Sequence, residues 1–267
     1  MAIHPTAIVG KKAEIDKSVE IGPYVIIEDN VKINKNVKIY AHAYICGGTE
    51  IGEGTEVHMG AILGHAPQDL AFKGKKTYLK IGKRNIIREY ATIHRATEEN
   101  TATIIGDENY LMATSHVGHN CKVGNKAIIA NGVLLAGRVN VEDGVFISGN
   151  VVVHQFCNIG RLAIIGGFSG INKDVPPYMA VRGQSIVWSI NLIGLKRAGF
   201  SAKTIKEIKD AFRLLYKSDM NTKEALGKIL DQNPGEEVRY FVEFIKNSKR
   251  GICKYRLGRQ DFANYFD

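Results

Sequence analysis

Three histidines in the middle of the chain are the residues best suited to acid–base chemistry. His116 and His119 lie in the run TSHVGHNC, and His154 follows in VVVHQF. Histidine titrates closest to neutral pH, so it is the natural general base for a reaction there. The cluster fits a base for acyl transfer, a zinc site whose imidazoles are shared between subunits, or, with no function, histidines scattered over the surface.

A six-residue period reveals the elements that position these histidines. From residue 3 to residue 171, every sixth position is aliphatic at 26 of 29 places, and Asp69, Lys75 and Glu99 are the exceptions. Chance would give about 7, because 66 of the 267 residues are Ile, Val or Leu. Glycine often follows the aliphatic residue, as at Gly10 and Gly52, which relieves Cβ clashes at a corner. This period is typical of a parallel β-helix.

The period also predicts which residues stack on one another. Three hexapeptides form one coil of a triangular β-helix, so residues 18 apart should lie about 4.8 Å apart in neighbouring coils. His119, Gly137 and Gln155 then form one column, and the flanking columns are Gly118, Ala136, His154 and Asn120, Arg138, Phe156. We expect His119 to face outward without packing contacts and the N–H of Gly137, beside no side chain, to stabilise an oxyanion.

Two polar insertions interrupt the period without changing its frame, at residues 64–80 and 94–104. In a solenoid such insertions become external loops, often at the binding face. The period ends after Ile171, and DVPPY breaks it. We therefore predict a β-helical domain over residues 1–173 and a helical domain over residues 174–267.

The second domain has helical periodicity and most of the excess positive charge. Residues 201–217 and 236–247 each place apolar side chains on one stripe, and Asn221 with Glu224 has the pattern of a capping box. The whole chain has a formal charge of +9, of which residues 174–267 supply +6, from 17 basic and 11 acidic residues. A solvated helix face would explain this charge, and docking of an acidic protein is the functional alternative.

Composition bounds the location and the partners of the protein. No apolar run approaches the ~20 residues of a membrane span, and the first residues contain no signal-peptide core. The four cysteines form no CxxC pair, which suits a reducing compartment. We expect a cytoplasmic protein with no transmembrane segment and no nucleic-acid partner.

Several runs carry a family resemblance: TSHVGHNCKVGN, LAGRV, VVVHQFCNIG, IIGGFSG, KDVPPY and NLIGLKRAGF. Together they resemble the acyl-carrier-protein-dependent UDP-N-acetylglucosamine acyltransferases of lipid A biosynthesis, over essentially the whole chain. The resemblance implies a mainly β fold, in which a left-handed parallel β-helix precedes a C-terminal α-helical domain. It also implies a homotrimer with active sites between subunits, and neither a cofactor nor a metal.

The resemblance assigns roles to individual residues. His119 would deprotonate the sugar 3-hydroxyl as it attacks the thioester of an (R)-3-hydroxyacyl carrier protein, and the N–H of Gly137 would hold the oxyanion. Gly167 matches the position that limits acyl-chain length. The remaining matches are substrate-binding positions: Gln68, Asp69, His116, Asn120, Arg138, His154, Gln155, Asn191 and Arg197.

Four positions depart from the family pattern, all near the acceptor. Asn120 replaces an aspartate after the base, and Arg138 replaces a histidine after the oxyanion glycine. Ala71 replaces a lysine, and Ile193 replaces a glutamate. An amine is a better nucleophile than a hydroxyl, so a 3-amino sugar nucleotide is an alternative acceptor. A coenzyme-A-dependent acetyltransferase and a non-catalytic binding solenoid are the alternative functions.

Overall fold

The computed structural model describes residues 2–255, in which short strands precede four helices. Residues 256–267 of the predicted helical domain lie outside this range. The solenoid strands are β1 (Ala2–Ile3), β2 (Ile8–Val9), β3 (Glu14–Ile15), β4 (Glu20–Ile21), β5 (Ile26–Ile27), β6 (Lys32–Ile33), β7 (Lys38–Ile39), β8 (Tyr44–Ile45), β9 (Thr49–Ile51), β10 (Glu56–Val57), β11 (Ile62–His65), β12 (Tyr78–Ile81), β13 (Ile86–Ile87), β14 (Thr92–His94), β15 (Ala102–Ile105), β16 (Tyr110–Leu111), β17 (His116–Val117), β18 (Lys122–Val123), β19 (Ile128–Ile129), β20 (Leu134–Leu135), β21 (Asn140–Val141), β22 (Phe146–Ile147), β23 (Val152–Val153), β24 (Asn158–Ile159), β25 (Ile164–Ile165) and β26 (Gly170–Ile171).

The solenoid strands form three parallel sheets, and every third strand belongs to the same sheet. The first sheet begins β1, β4, β7, the second β2, β5, β8, and the third β3, β6, β9. Along the second sheet Val117 pairs with Leu135, and Leu135 with Val153, so residues 18 apart are neighbours as predicted. The three sheets therefore enclose a triangular column in which each coil contributes one strand to every side.

The repeated aliphatic residues form the core of this column. Those from Ile21 to Ile171 are all buried, whereas Ile3, Val9 and Ile15 are partly exposed. These three lie in the first coil, which has a neighbouring coil on one side only. Burial of this continuous apolar column is the main stabilising contribution to the solenoid.

Two corner positions explain residue choices beside the core. A Cβ atom at Gly52 would lie 2.3 Å from the carbonyl oxygen of Gly82, so glycine there permits the close approach of successive coils, as predicted. The third residue after the core position has a left-handed backbone, with φ of 58° at Asn120 and 62° at Arg138. Asparagine tolerates this conformation better than most residues, and the sequence analysis did not use that signal.

The two insertions leave the solenoid as external loops, and the structure shortens both of them. Between β11 and β12 the loop covers residues 66–77, and between β14 and β15 it covers residues 95–101. The loops contact each other, because the N–H of Asn100 donates to the carbonyl oxygen of Lys76 at 2.8 Å. The second loop is thereby held against the first loop.

The chain beyond Ile171 first continues the solenoid and then becomes helical. The later elements are β27 (Met179–Arg182), β28 (Ile186–Ile190), α1 (Leu192–Arg197), α2 (Ala202–Lys217), α3 (Thr222–Asp231), α4 (Glu236–Asn247) and β29 (Lys254–Tyr255). Strand β27 pairs in parallel with β25 of the first sheet, and β28 then pairs antiparallel with β27. Since these strands join the first sheet, the domain division at residue 173 remains a prediction.

The helices agree closely with the helical periods of the sequence. The predicted segments 201–217 and 236–247 correspond to α2 and α4, and Asn221 with Glu224 forms the predicted capping box at the start of α3. The helices pack through buried apolar stripes, which include Phe212 of α2 and Phe241 of α4. None of the helices described in the structure is long and apolar enough to cross a membrane.

Candidate active site

His119 and Gly137 lie on adjacent coils, one above the other, at a corner of the second sheet. A Cβ atom at Gly137 would lie 2.4 Å from Nε2 of His119. The imidazole is therefore packed on the bare backbone of Gly137, and His119 is half-buried. The expectation that His119 packs against nothing is wrong, because the glycine leaves room for its ring.

The N–H of Gly137 is available to a ligand. Neighbouring corner groups are paired: the N–H of Arg138 donates to the carbonyl oxygen of His119 at 2.8 Å, and that of Phe156 to the carbonyl oxygen of Gly137 at 3.2 Å. Within residues 2–255, the N–H of Gly137 itself has no acceptor. A free backbone N–H beside an imidazole is the arrangement that binds a developing oxyanion.

Asn120 sets the tautomer of His119. Its Oδ1 lies 3.0 Å from Nδ1 of His119 and accepts a 3.0 Å hydrogen bond from the N–H of Thr97, while its Nδ2 donates to Oε2 of Glu98 at 2.6 Å. These two partners fix the orientation of the amide. Since Oδ1 can only accept, the neutral imidazole carries its proton on Nδ1. Nε2, which faces Gly137, is then the basic nitrogen.

Arg138 contacts Glu98 and makes no hydrogen bond to His119 within the described residues. Its guanidinium forms an ion pair with Glu98 and lies 5.7 Å from the ring centre of Phe156. Partial burial raises the pKa of Glu98, but hydrogen bonds from Arg138 and Thr97 outweigh this and hold it below its ordinary value. Glu98 is therefore ionised at neutral pH.

Two further histidines line the neighbouring strands. Nδ1 of His116 lies 2.8 Å from Oγ1 of Thr92. The rings of His94 and His116 meet edge to face, with 5.0 Å between their centres. Burial lowers the pKa of His94 to about 4, with further lowering by His116, His65 and His119. Burial also lowers the pKa of His116. Both rings are therefore neutral at pH 7 and add no positive charge beside the base.

His154 and Gln155 lie one coil further along, and both are exposed. Nδ1 of His154 lies 3.2 Å from the carbonyl oxygen of Gln155. The register places Gln155 in the column of His119 and Gly137, as predicted. Both side chains are thus free to contact a ligand that extends along this edge.

The other predicted binding residues lie away from this corner. Gln68 is exposed on the first loop, where Oδ1 of Asp69 accepts from the N–H of Ala71 at 2.9 Å. Asn191 caps α1: its Oδ1 accepts from the N–H of Gly194 at 3.0 Å, and its Nδ2 donates to a carbonyl oxygen at 2.8 Å. Arg197 is exposed at the end of α1. Within one chain, no hydrogen bond or ion pair joins any of these residues, all inside the described range, to His119.

Gly167 occupies the column predicted for it. A Cβ atom there would lie 3.3 Å from the carbonyl oxygen of Gly149, which itself stacks over Asn131. The backbone of Gly167 does not have positive φ. The position therefore accepts a side chain with a small adjustment, and the exposed glycine leaves the surface beside it open.

Sequence reasoning missed three residues of this corner: His94, Thr97 and Glu98. The frame could have placed His94, because it follows the core residue Ile93 and so belongs to the column of Gly118. The two loop residues had no such signal, since no period determines how an insertion folds. For metal binding, residues 2–255 contain no group of three or more His, Cys, Asp or Glu side chains arranged to hold an ion.

Two family models and many curated proteins match this chain. The family described as "Udp N-acetylglucosamine O-acyltransferase; Domain 2" matches residues 174–253, and "Bacterial transferase hexapeptide (six repeats)" matches residues 30–65 and 102–137. The chain is 50% identical over 190 residues to the acyl-[acyl-carrier-protein]--UDP-N-acetylglucosamine O-acyltransferase of Synechocystis, covering 71% of this chain and 69% of the relative. It is 46% identical to the protein of that name from Anaeromyxobacter, covering 95% of this chain and all of the relative.

The chain belongs to the UDP-N-acetylglucosamine O-acyltransferase family. The crystal structure of the UDP-N-acetylglucosamine acyltransferase from Bacteroides fragilis is similar throughout, with a TM-score of 0.91 and 43% identity over 94% of this chain and 99% of that one. The left-handed parallel β-helix followed by helices, which the resemblance implies, is confirmed.

Proposed function

We propose that this chain transfers an (R)-3-hydroxyacyl group from acyl carrier protein to the 3-position of UDP-N-acetylglucosamine, the first step of lipid A biosynthesis. The observation that carries the proposal is the packing of the basic Nε2 of His119 against the backbone of Gly137, whose N–H has no acceptor within residues 2–255. The two groups supply a base and an oxyanion donor at one point. The substrates follow from the names of the relatives that share the full-length fold.

In the proposed reaction, Nε2 of His119 takes the proton of the sugar 3-hydroxyl as its oxygen attacks the thioester carbonyl carbon. A tetrahedral intermediate forms, and its oxyanion accepts from the N–H of Gly137. The C–S bond then breaks, and the departing thiolate of the carrier takes the proton back from the imidazolium. The sugar ester and the free thiol result, and His119 returns to its neutral state.

The two substrates approach this corner along different elements. Arg197 and Asn191 lie at opposite ends of α1, and a guanidinium such as that of Arg197 can pair with a diphosphate. We assign the nucleotide to this end of the solenoid and the acyl chain to the column of Gly167. Gln68 and Asp69 project on the first loop and contact substrate once a second subunit is adjacent.

The basic face of α2 is the proposed docking surface for acyl carrier protein. The exposed cations of this helix follow one another at intervals of three or four residues: Lys203, Lys206, Lys209, Arg213 and Lys217. Such spacing places them on one side of the helix. Asp210 lies on the same side and pairs with Arg213, so the face has a net positive charge. Such a charge suits an acidic protein partner through long-range attraction.

A homotrimer would complete the site. The second sheet carries apolar residues on its outer face, where Leu134 is 46% and Val152 is 48% exposed, and His116 lies in the same row. The outer face of the third sheet instead carries charged residues such as Lys32 and Glu50. Large exposed apolar patches mark interfaces. We infer that the second sheet packs against other copies of the chain, which brings their residues to His119.

Sedimentation tests the trimer. The wild type is expected at three times the chain mass of 29.4 kDa. Leu134→Glu should shift the population towards monomer. The control is Lys122→Glu, which places a glutamate on the exposed outer face of the third sheet and should leave the trimer intact. A monomeric wild type would refute the assembly. The cytoplasm is the proposed compartment, which fits the four free and buried cysteines.

The activity is tested with thioesters of acyl carrier protein and of coenzyme A, each with UDP-N-acetylglucosamine. We expect turnover with the carrier protein. His119→Ala should lower kcat by the ~10²–10⁴-fold that a general base contributes, with the trimer intact. The control is His4→Ala, which removes an exposed imidazole of the first coil.

Each contrary outcome of this assay has a separate meaning. More than a tenth of the rate in His119→Ala would exclude His119 as the base. Turnover with only the coenzyme A thioester would favour the acetyltransferase alternative. Absence of turnover with every donor would favour a binding solenoid.

A further inference from the structure

Glu98 lies behind the base, on the far side of Asn120. We propose that Glu98 is a positioning residue of the catalytic site, whose carboxylate acts through the amide of Asn120 to orient His119 and stabilise its protonated form. The inference rests on the proposed function and names a residue of its mechanism. It also explains how an uncharged asparagine can follow the base.

The contacts form one continuous chain from carboxylate to base. Oε2 of Glu98 accepts from Nδ2 of Asn120 at 2.6 Å, and Oδ1 of Asn120 lies 3.0 Å from Nδ1 of His119. Each link has one possible direction, since a carboxylate only accepts and Nδ2 only donates. The sequence of donors therefore runs from His119 through Asn120 to Glu98.

The negative charge that an aspartate at position 120 would supply is present in this site on Glu98, which contacts Asn120 and not His119. An aspartate at position 120 would place a full charge against the imidazole, and the amide of Asn120 places only a dipole there. The carboxylate of Glu98 polarises that amide, because linked hydrogen bonds strengthen one another. When Nε2 of His119 takes a proton, the resulting positive charge is stabilised along this chain.

The loop that carries Glu98 is held in place by its own contacts. The buried Ala96 donates its N–H to the carbonyl oxygen of Tyr78 at 3.3 Å, and Oγ1 of Thr101 donates to the carbonyl oxygen of Glu98 at 2.6 Å. On the other side, Arg138 forms an ion pair with the Glu98 carboxylate. The loop backbone is therefore held by two hydrogen bonds, and the carboxylate itself is held by Arg138 and Asn120.

These contacts contribute little to folding. The side chains of Glu98 and Arg138 are 45% and 38% exposed, and ion pairs at such positions add little to stability. Loss of the charge should therefore affect the reaction far more than the melting temperature. This difference separates a positioning role from a structural one.

The first test is Glu98→Gln, which keeps an acceptor for Asn120 and removes only the charge. We expect kcat to fall about tenfold, less than the ~10²–10⁴-fold contribution of a base, with KM for the sugar nearly unchanged. Glu99→Gln is the matched control, since Glu99 is the adjacent exposed residue of the same loop. Equal kcat in both variants would overturn the proposal.

The second test reverses the sign of the effect. In an Asn120→Asp background a charge already lies beside His119, and Glu98 then opposes it at hydrogen-bond distance. Glu98→Gln should therefore raise kcat in that background, because the new amide can donate to Asp and the repulsion is removed. A structural role for Glu98 would lower kcat in both backgrounds, and that result would overturn the proposal.

The third test needs no turnover and so separates this inference from the proposed function. Nitrogen-15 NMR of the histidine rings reports the tautomer of His119, assigned by comparison with His119→Ala. We expect the Nδ1–H form in the wild type and a mixture of both tautomers in Glu98→Ala. An unchanged tautomer would contradict the proposal even if the enzyme is active. A changed tautomer in an inactive protein would leave the positioning intact and reject the reaction.

Discussion

The imidazole of His119 occupies the space that any side chain at position 137 would need. A Cβ atom there would lie 2.4 Å from Nε2, well inside van der Waals contact. Gly137 does not have positive φ, so its backbone does not require glycine. The close approach of the ring is the reason for the glycine, and it brings the base to the residue whose N–H has no acceptor within residues 2–255.

Gly137→Ala should therefore inactivate the enzyme without unfolding it. The added methyl group displaces the ring of His119 and covers the N–H, and loss of one oxyanion donor alone costs about 10²–10³ in kcat. Gly227→Ala in α3 is the control, because an added Cβ there would meet no atom within 4 Å. Measured kcat within a few-fold of wild type in Gly137→Ala would contradict this account.

The fold was predictable because one physical requirement repeats along the chain. Each coil needs an aliphatic residue at every inward position, and the frame survives both insertions, so Ile105 and Val117 remain in phase with Ile21. The 18-residue stacking then follows from the three strands of a coil. Handedness did not follow from the period, because the same core pattern fits either hand, and it came from family resemblance.

Only the site residues that lie within the six-residue repeat could be predicted from the sequence. His119 and Gly137 share a column, so their proximity follows from numbering. Glu98 lies in an insertion, where the period gives no positions, and its contact with Asn120 depends on how the loop folds. The role of Asn191 as a helix cap was also outside the repeat, although asparagine is a common capping residue.

Acid should destabilise the protein through His94. Burial lowers the pKa of His94 to about 4 in the folded chain, below the ordinary value of 6.5. Between these values the unfolded chain binds a proton that the folded chain does not, so stability is complete above pH 6.5 and falls as pH drops towards 4. The loss is about 3 kcal/mol at 1.36 kcal/mol per unit, an order-of-magnitude figure.

Urea unfolding at pH 7.5, 5.5 and 4.5 measures this effect. His94→Gln removes the titrating group, so its stability should depend less steeply on pH than that of the wild type. His4→Gln, in the exposed first coil, should keep the wild-type slope. Parallel curves for wild type and His94→Gln would show that other groups cause the acid sensitivity.

Salt should weaken the use of acyl carrier protein. If the basic face of α2 docks the carrier, its KM should rise steeply with ionic strength, since exposed charges are screened within about 10 Å at 0.1 M salt. An acyl-pantetheine thioester without the protein is the control donor, and its KM should change little. Salt-independent KM for the carrier protein would contradict docking through this face.

The hydroxyl sugar should remain the preferred acceptor. Asn120 alone would leave the base without a charged partner and favour the more nucleophilic amine, but Glu98 supplies that charge through the amide. With UDP-N-acetylglucosamine and its 3-amino analogue at equal concentrations, we expect the ester product to exceed the amide. Predominance of the amide would show that Ala71 and Ile193, which also depart from the family pattern, shape an amine-selective site.

The length of the acyl chain should depend on Gly167. Gly149 and Gly167 stack in one column, so two successive coils present no side chain there, and we expect the acyl chain to lie in the resulting channel. Each methylene group buried in that channel contributes about 0.8 kcal/mol, which favours a long chain in the wild type. Gly167→Met should fill the channel, because the backbone there accepts a Cβ atom 3.3 Å from the carbonyl oxygen of Gly149.

Rates with donors of increasing chain length decide this prediction. Long donors should lose rate in Gly167→Met while short donors keep or gain it, since steric exclusion acts only beyond the depth of the new side chain. Gly149→Ala provides a milder change in the same column. A uniform loss over all chain lengths would instead mean that Gly167 serves the packing of successive coils, and the length limit would then lie elsewhere along the solenoid.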